Sequence, residues 1–443
     1  MKRSFFEHKK SFISLLFLVV AIEVMAQKDF LLYQTDHIFQ RHALNPAFTS
    51  QEGKFHLGIP VLSNINVGVS NGAFTLSQFI QTRSDDSLIL NYENALDQLR
   101  DFNKIDFDFQ TDWLSLGFHH KDNFFSFSVS EHIKSRWTIP RDLPQFLWEG
   151  NGQQFLGNRA SFDGLSIDFM AYREFAFGFS RKIDKALTVG TRFKFLQGHA
   201  NLHTNRLNFG IHTDEKTYDL TIDGSGRVMS SGVFPFLDNE IGVNDLLFNN
   251  NFGFAMDFGV NYEYKKWNFS ASLLDFGVIR WKNFNQVYDL FPFEIEYQGV
   301  PLESFLEDAE TSFQQLVDSL EGVFTPAENN RAYTIPLYAR VFMGANYTFS
   351  EKLNFSFLYN AEFINRNHIR QGLSVATHYK MLKWLSTSMS YTIYNRSFTN
   401  IGLGFTVHSG PVQFYFMTDN ALGLIIPDRV RNWHGRVGLN FRI

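Results

Sequence analysis

The sequence predicts an all-β protein, a transmembrane antiparallel outer-membrane β-barrel of about fourteen strands with short helical loop insertions. Three observations predict it. Phe252, Phe254, Met256, Phe258, Val260, Tyr262 and Tyr264 alternate with Asn251, Gly253, Ala255, Asp257, Gly259, Asn261 and Glu263. That two-residue period fits a strand with one greasy face and excludes a helix, whose buried stripe would repeat at 3.6. Segments of the same kind recur along the chain with aromatic residues at their ends, as in barrels standing in lipid. The third observation is an export signal at the start of a chain with no apolar stretch of roughly eighteen residues after it.

Lys2, Arg3, Lys9 and Lys10 precede an apolar run from Phe12 to Ile22, and Val24-Met25-Ala26 offers a small residue for cleavage before Gln27. Residues 1–26 therefore read as a signal peptide, 27–53 as a periplasmic or plug segment and 54–443 as the barrel. The first strand is expected over 54–70, where Phe55, Leu57, Ile59, Val61, Ile65, Val67 and Val69 share odd parity as one unbroken strand. Pro60 lacks a donor, which predicts a bulge or seam edge there.

The next strands are read at 105–119, 123–137, 165–180, 185–198, 251–264 and 267–281. Phe125, Phe127 and Val129 interleaved with Ser126, Ser128 and Ser130 make the second of these a clean case. The register of 105–119 slips near Trp113, which a bulge explains. The remaining strands are 336–349, 353–366, 370–380, 384–395, 398–408, 411–418 and 434–443; in the last, Val437, Leu439, Phe441 and Ile443 face lipid. The chain ends in Ile443 where such barrels commonly end in an aromatic residue, and Phe441 stands two places earlier.

Short connections at 120–123, 181–185, 265–266, 350–352, 381–383 and 409–411 alternate with long ones, among them 138–164, 200–250, 283–334 and 419–433. Bacterial barrels have short periplasmic turns and longer outer loops, so the alternation assigns the sides. Trp267 and Trp384 adjoin short turns and Trp137, Trp281 and Trp433 adjoin long loops, consistent with aromatic belts at both interfaces. Within 299–330, Leu302, Leu306, Ala309, Phe313, Leu316, Val317 and Leu320 form a helical apolar stripe, and a weaker helical pattern covers 92–100.

Composition narrows function. The 51 Phe, 16 Tyr and 7 Trp exceed what a soluble domain needs, while mean hydropathy stays at −0.18 because alternate strand residues are polar. Without cysteine there is no disulfide scaffold, thiolate metal site or lipidated terminus. A formal charge of −5 with no long basic run argues against nucleic acid. No serine-hydrolase elbow, zinc-protease helix, phosphate loop or calcium loop occurs, and neither catalysis nor a cofactor is predicted. His199 and His203 are four apart, which on a strand places them roughly 13 Å from each other, too far for one ion. His119-His120 reads as a polar turn.

Inward parity puts Asp168, Glu174, Arg192, Lys194, Asp257, Glu263 and Arg340 in the lumen. Both signs are present, so they either line a charge-filtering pore or pair with one another and with an amino-terminal plug. The same parity predicts that Phe258→Arg is costly and Gly259→Ser milder.

Asn45-Pro46-Ala47-Phe48 followed by Lys54-Phe55-His56-Leu57-Gly58-Ile59-Pro60 resembles the opening of an exported barrel family of Bacteroidota known only as a domain of unknown function. Leu274-Asp275-Phe276-Gly277-Val278-Ile279-Arg280-Trp281, Gly402-Leu403-Gly404-Phe405, Gly410-Pro411-Val412-Gln413-Phe414-Tyr415 and Thr418-Asp419-Asn420 are similar to its later landmarks. That family is similar in plan to the PorP/SprF-like plugged barrels of type IX secretion and gliding, and more distantly to long-chain fatty-acid transporters. The resemblance implies transport or accessory roles. The expectation is a non-enzymatic barrel, a channel or uptake port for a small or apolar solute. The alternative is a scaffold barrel for surface protein export. The partners expected are outer-membrane lipid, a solute in the lumen, and a periplasmic or secretion-machinery protein.

Overall fold

The computed structural model describes residues 29–49, 53–72, 75–82, 87–152, 154–297, 327–365, 368–394, 397–426 and 430–443. The expected signal peptide lies outside the described residues, as does nearly all of the helix expected over 299–330.

Fourteen antiparallel strands close into a barrel. Phe55–Gly58 and Ile65–Asn71 together make the first. It lies between Phe102–His120, where Phe55 pairs with Phe118, and the last strand, Asn432–Arg442, where Ile65 pairs with Val437. From Phe102–His120 the wall runs through Asn123–Pro140, Ser166–Lys182, Leu187–Thr213, Asn251–Tyr264 and Trp267–Trp281. It continues through Tyr333–Pro336 with Arg340–Thr348, then Leu353–Asn365, His368–Lys380, Leu385–Tyr394, Ser397–Ser409 and Val412–Thr418. Alternation is visible in exposure: Phe252, Phe254 and Phe258 face outward, while Ala255, Asp257 and Asn261 are buried inside.

The first strand is not continuous. Pro60 has no N–H for the ladder, Val61 takes a positive φ of 66°, and residues 59–64 leave the strand. Six residues is an even number, so odd side chains point outward on both sides of the break. Opposite it, the register of Phe102–His120 shifts between Asp112 and Leu114, which leaves Trp113 half exposed. The Val61 N–H donates to the Asp112 carbonyl at 2.8 Å. The two irregularities thus satisfy each other's backbone.

A second bulge lies at Leu274 and Asp275, which together oppose Asp257. Asp275 sits at φ 59°, a left-handed conformation that aspartate tolerates. The extra residue turns both Leu274 and Asp275 inward and reverses parity beyond them. Trp281 is consequently fully buried against Ile279, Tyr172 and Leu196, not placed in an interfacial belt.

Two stretches read as long connections are partly sheet. Leu187–Thr213 runs 27 residues, about 90 Å of chain against about 30 Å of hydrocarbon. Its outer end pairs with Leu220–Ser231, which pairs with Asn285–Tyr297. These outer strands alternate only in part, at Leu220-Thr221-Ile222-Asp223 and Phe293-Glu294-Ile295-Glu296-Tyr297, with Gly224, Gly226 and Pro292 interrupting the pattern. His119 and His120 end a strand, and the turn is Lys121–Asp122. Helices occupy Tyr92–Asp97 and Asp142–Glu149 in the long loops.

Candidate functional site

The lumen is filled from within by the segment that precedes the first strand. Phe30–Gln34 is a single helical turn, buried throughout. The Leu31 N–H donates to Asp419 Oδ1 at 2.8 Å. Tyr33 stacks on Phe342 with centroids 5.0 Å apart, and its hydroxyl donates to Ser270 Oγ at 3.1 Å. Phe30, Leu31, Leu32 and Tyr33 join Leu358, Tyr415 and Met417 in an apolar core inside the lumen, separate from the cluster around Trp281. After a turn of 3-10 helix at Phe39–Ala43, Gln40 and Asn440 exchange amide hydrogen bonds at 2.6 and 2.9 Å. Phe39 stacks on His56 at 5.1 Å.

The Asn45-Pro46-Ala47 motif is the wall contact of this segment. Asn45 Nδ2 donates to the carbonyls of Val260 and Ala271, both at 3.2 Å, and Asn45 Oδ1 accepts from the Ala47 N–H at 2.9 Å. The Pro46 carbonyl accepts from Ser180 Oγ. Such an approach needs wall positions without side chains. A Cβ on Gly259 would lie 2.0 Å from Asn45 Oδ1, and one on Gly190 2.4 Å from the Pro46 backbone.

Beside the apolar core lies a charge network. Lys194 Nζ reaches Asp275 at 2.6 Å, Asp257 at 2.9 Å and Glu174 at 3.4 Å. Arg192 reaches Glu174 at 3.3 Å and Asp257 at 3.4 Å. Arg340 joins Asp275 at 3.1 Å to Asp29 at 2.6 Å, and Arg436 also donates to Asp29. A neighbouring set pairs Arg370 with Asp106 at 2.8 Å and Arg136 with Glu362 at 2.5 Å. Opposite charges and hydrogen bonds offset the desolvation of each buried ion.

Five of the inward residues read from the sequence, Glu174, Arg192, Lys194, Asp257 and Arg340, therefore meet in one network. The other two stand apart. Asp168 contacts His203 in the outer half, and Glu263 is exposed at the short-turn end, lining a vestibule. His199 Nε2 donates to Glu131 Oε1 at 2.9 Å, a different partner from that of His203. Sequence reading missed Asp275, Asp29 and Arg436. Arg436 was accessible to the parity of its strand, since Val437 and Leu439 face outward. Asp275 was hidden by the bulge.

Where the network meets the inserted segment, the enclosed space is about 30 Å³, lined in part by Asp29, His42, Glu174 and Arg192, room for about one water. Below it toward the short turns opens a polar vestibule of about 870 Å³, lined in part by Asp36, Arg41, Lys121, Lys182 and Lys266. Burial pushes the His42 imidazole down to about 3, helped by Arg192, and its Nδ1–H donates to the Phe39 carbonyl at 2.6 Å. Asp36 is held below the usual carboxylate range: burial opposes this, but Arg41 at 2.9 Å and neighbouring histidines outweigh it.

On the outer face, Val412–Thr418 is only seven residues long, and the chain leaves the wall at Asp419–Asn420. Beside that point Met389, Leu403, Phe405, Phe416, Leu424 and Ile425 line an apolar groove of about 470 Å³. Gly404 lies in the wall between them, where a Cβ would sit 3.1 Å from Leu31 Cδ2 of the inserted segment.

Over residues 46–419 the chain matches a family of unknown function, DUF5723, and belongs to it. No curated protein matches. Among solved structures it is similar in shape to the toluene transporter TbuX of Ralstonia pickettii, at 8% identity and TM-score 0.45, covering 96% of this chain and 100% of that one. A Pseudomonas aeruginosa FadL homologue gives 8% identity and TM-score 0.46, over 95% and 99% of the chains. The toluene transporter TodX of Pseudomonas putida gives 9% and 0.39, over 95% and 93%.

Proposed function

We propose that this protein is a non-enzymatic outer-membrane barrel that passes a small apolar solute, with the segment around Asp29–Phe48 as its plug. The observation that carries the reading is the apolar core of Phe30, Leu31, Tyr33, Tyr415 and Met417 inside a lumen that also holds a charge network and a second apolar cluster around Trp281. A water-filled porin has no use for such a core, whereas an apolar solute needs apolar surface on its way through a polar barrel. Support comes from the outer groove at Phe405 and Phe416, separated from Leu31 only by the glycine-bearing wall. The closed geometry makes this a gated route, so transport requires displacement of the plug.

The test compares uptake of a radiolabelled small hydrocarbon and of a hydrophilic sugar by cells with and without the protein. Faster hydrocarbon uptake with unchanged sugar uptake supports the reading. Equal uptake of both by the two strains sinks it. Loss of surface-protein display on deletion, with uptake untouched, would favour the scaffold for protein export instead.

A further inference from the structure

The sequence's net charge of −5 conceals a basic collar at one end. The turn at 121–122 carries Lys121, that at 183–186 carries Arg181, Lys182 and Lys185 on or beside it, and that at 265–266 is Lys265-Lys266. The next two add Lys352, then Lys380 and Lys383. Against these nine stand four acids at the same turns, Asp122, Asp184, Glu263 and Glu351. All thirteen side chains are exposed, and among the described residues no ion pair neutralises any of the nine bases. The long-loop end has the opposite bias, with Asp214, Glu215, Asp238, Glu240, Glu294 and Glu296 in its outer strands and their connections.

We propose that the short-turn collar binds the phosphate headgroups of anionic phospholipid in the leaflet it faces, fixing the depth and seating of the barrel. This rests on the reading of the chain as an outer-membrane barrel. Two features select a lipid over an acidic protein. The turns are too short to carry their lysines beyond the interface, and the side chains among them suit that depth: Tyr264, Trp267, Tyr379 and Trp384 are exposed there, as are the turn residues Ile183, Met381 and Leu382. Aromatic rings seat at the headgroup level, and the lysine stems can lie along apolar surface while their amines reach phosphate. Lys265 Nζ already lies 5.2 Å over the Tyr264 ring. Each base close to an anionic surface adds attraction that falls off within a Debye length.

The experiment uses the full-length protein folded in detergent micelles doped with equal phosphatidylglycerol and phosphatidylethanolamine, and quantifies the lipid that co-purifies. The wild type should retain phosphatidylglycerol several-fold over phosphatidylethanolamine, with the preference lost at high salt. Combined Lys182→Gln, Lys185→Gln, Lys265→Gln and Lys266→Gln should abolish it, while Arg141→Gln, Lys216→Gln and Lys282→Gln at the other end should leave it intact. Heat-modifiable gel mobility verifies that each protein is a folded barrel, so a folded wild-type barrel without lipid preference overturns the collar and leaves the proposed function standing. An unchanged preference in the four-lysine variant also overturns it. So does competition by inorganic phosphate as strong as by lipid, or tighter capture of polyglutamate than of phosphatidylglycerol.

Discussion

Asp29 accepts a hydrogen bond from Arg340 at 2.6 Å across 311 residues of chain, and its other carboxylate oxygen accepts one from Arg436. One buried carboxylate thus ties the start of the inserted segment to the eighth strand and the last. Arg436 keeps Asn64 Oδ1 at 2.6 Å as a second partner, and Arg340 keeps Asp275.

Replacing Asp29 by Ala leaves two buried guanidiniums short of charge. Breaking a buried pair costs about 3–5 kcal/mol, and the remaining partners put this case at the lower end. The expected outcome is a loosened plug in an intact barrel. The chain has no cysteine, so Leu32→Cys, at a position 2% exposed, gives a single label site. Thiol labelling at that site should accelerate when Asp29→Ala is added, and unchanged labelling would show that Asp29 does not hold the segment.

Phe258 is 43% exposed on the outer face, near the middle of its strand. Phe258→Arg should destabilise the barrel by about 2–4 kcal/mol in lipid, read by urea unfolding in vesicles. Gly259→Ser, which parity alone marks as mild, meets Asn45 Oδ1 on the inner face. It should therefore leave the barrel as stable as wild type yet raise Leu32→Cys labelling. A wild-type labelling rate would contradict the close packing of Asn45 there.

The strands were legible because a lipid-facing wall forces alternation over nearly every segment, and because turn lengths differ at the two ends. Parity fails wherever one residue is added. The bulge at Asp275 leaves no mark in hydrophobicity, since Leu274 and Phe276 are both apolar, and it carries Trp281 from the expected belt into the lumen. The outer strands Leu220–Ser231 and Asn285–Tyr297 were harder to read, because Gly224, Gly226 and Pro292 break their alternation into short pieces. Asn45-Pro46 was visible as a turn, but its wall partners, Val260 and Ala271, are backbone carbonyls that sequence cannot single out.

Acid should loosen the plug. His42 has its pKa lowered from 6.5 to about 3, so the docked segment binds fewer protons than the released one. A lowered value contributes stability above pH 6.5, lost as pH falls toward 3. Asp36, also lowered, adds a loss of the same sign below its ordinary value of 3.8. Labelling of Leu32→Cys, corrected for thiolate fraction, should rise from pH 6.5 downward, and His42→Phe should flatten the upper part of that rise. A flat profile in the wild type would show that His42 is not buried neutral in the docked state.

Removal of the whole segment gives the most direct reading of the lumen. Residues 29–48 supply most of the apolar core, the Asp29 bridge and the Asn45 wall contact, while the strand ladder closes without them. The charge network around Lys194 and Arg192 is made largely by wall residues and should persist, narrowing whatever opening results. Deleting residues 27–49 should therefore leave a heat-modifiable barrel with higher single-channel conductance in a planar bilayer. The conductance should grow further when Lys194→Ala and Asp257→Ala are combined with the deletion, because paired removal empties the constriction without stranding a charge. Unchanged conductance in the deletion, with the barrel intact, would mean that the wall charges and not the inserted segment close the lumen.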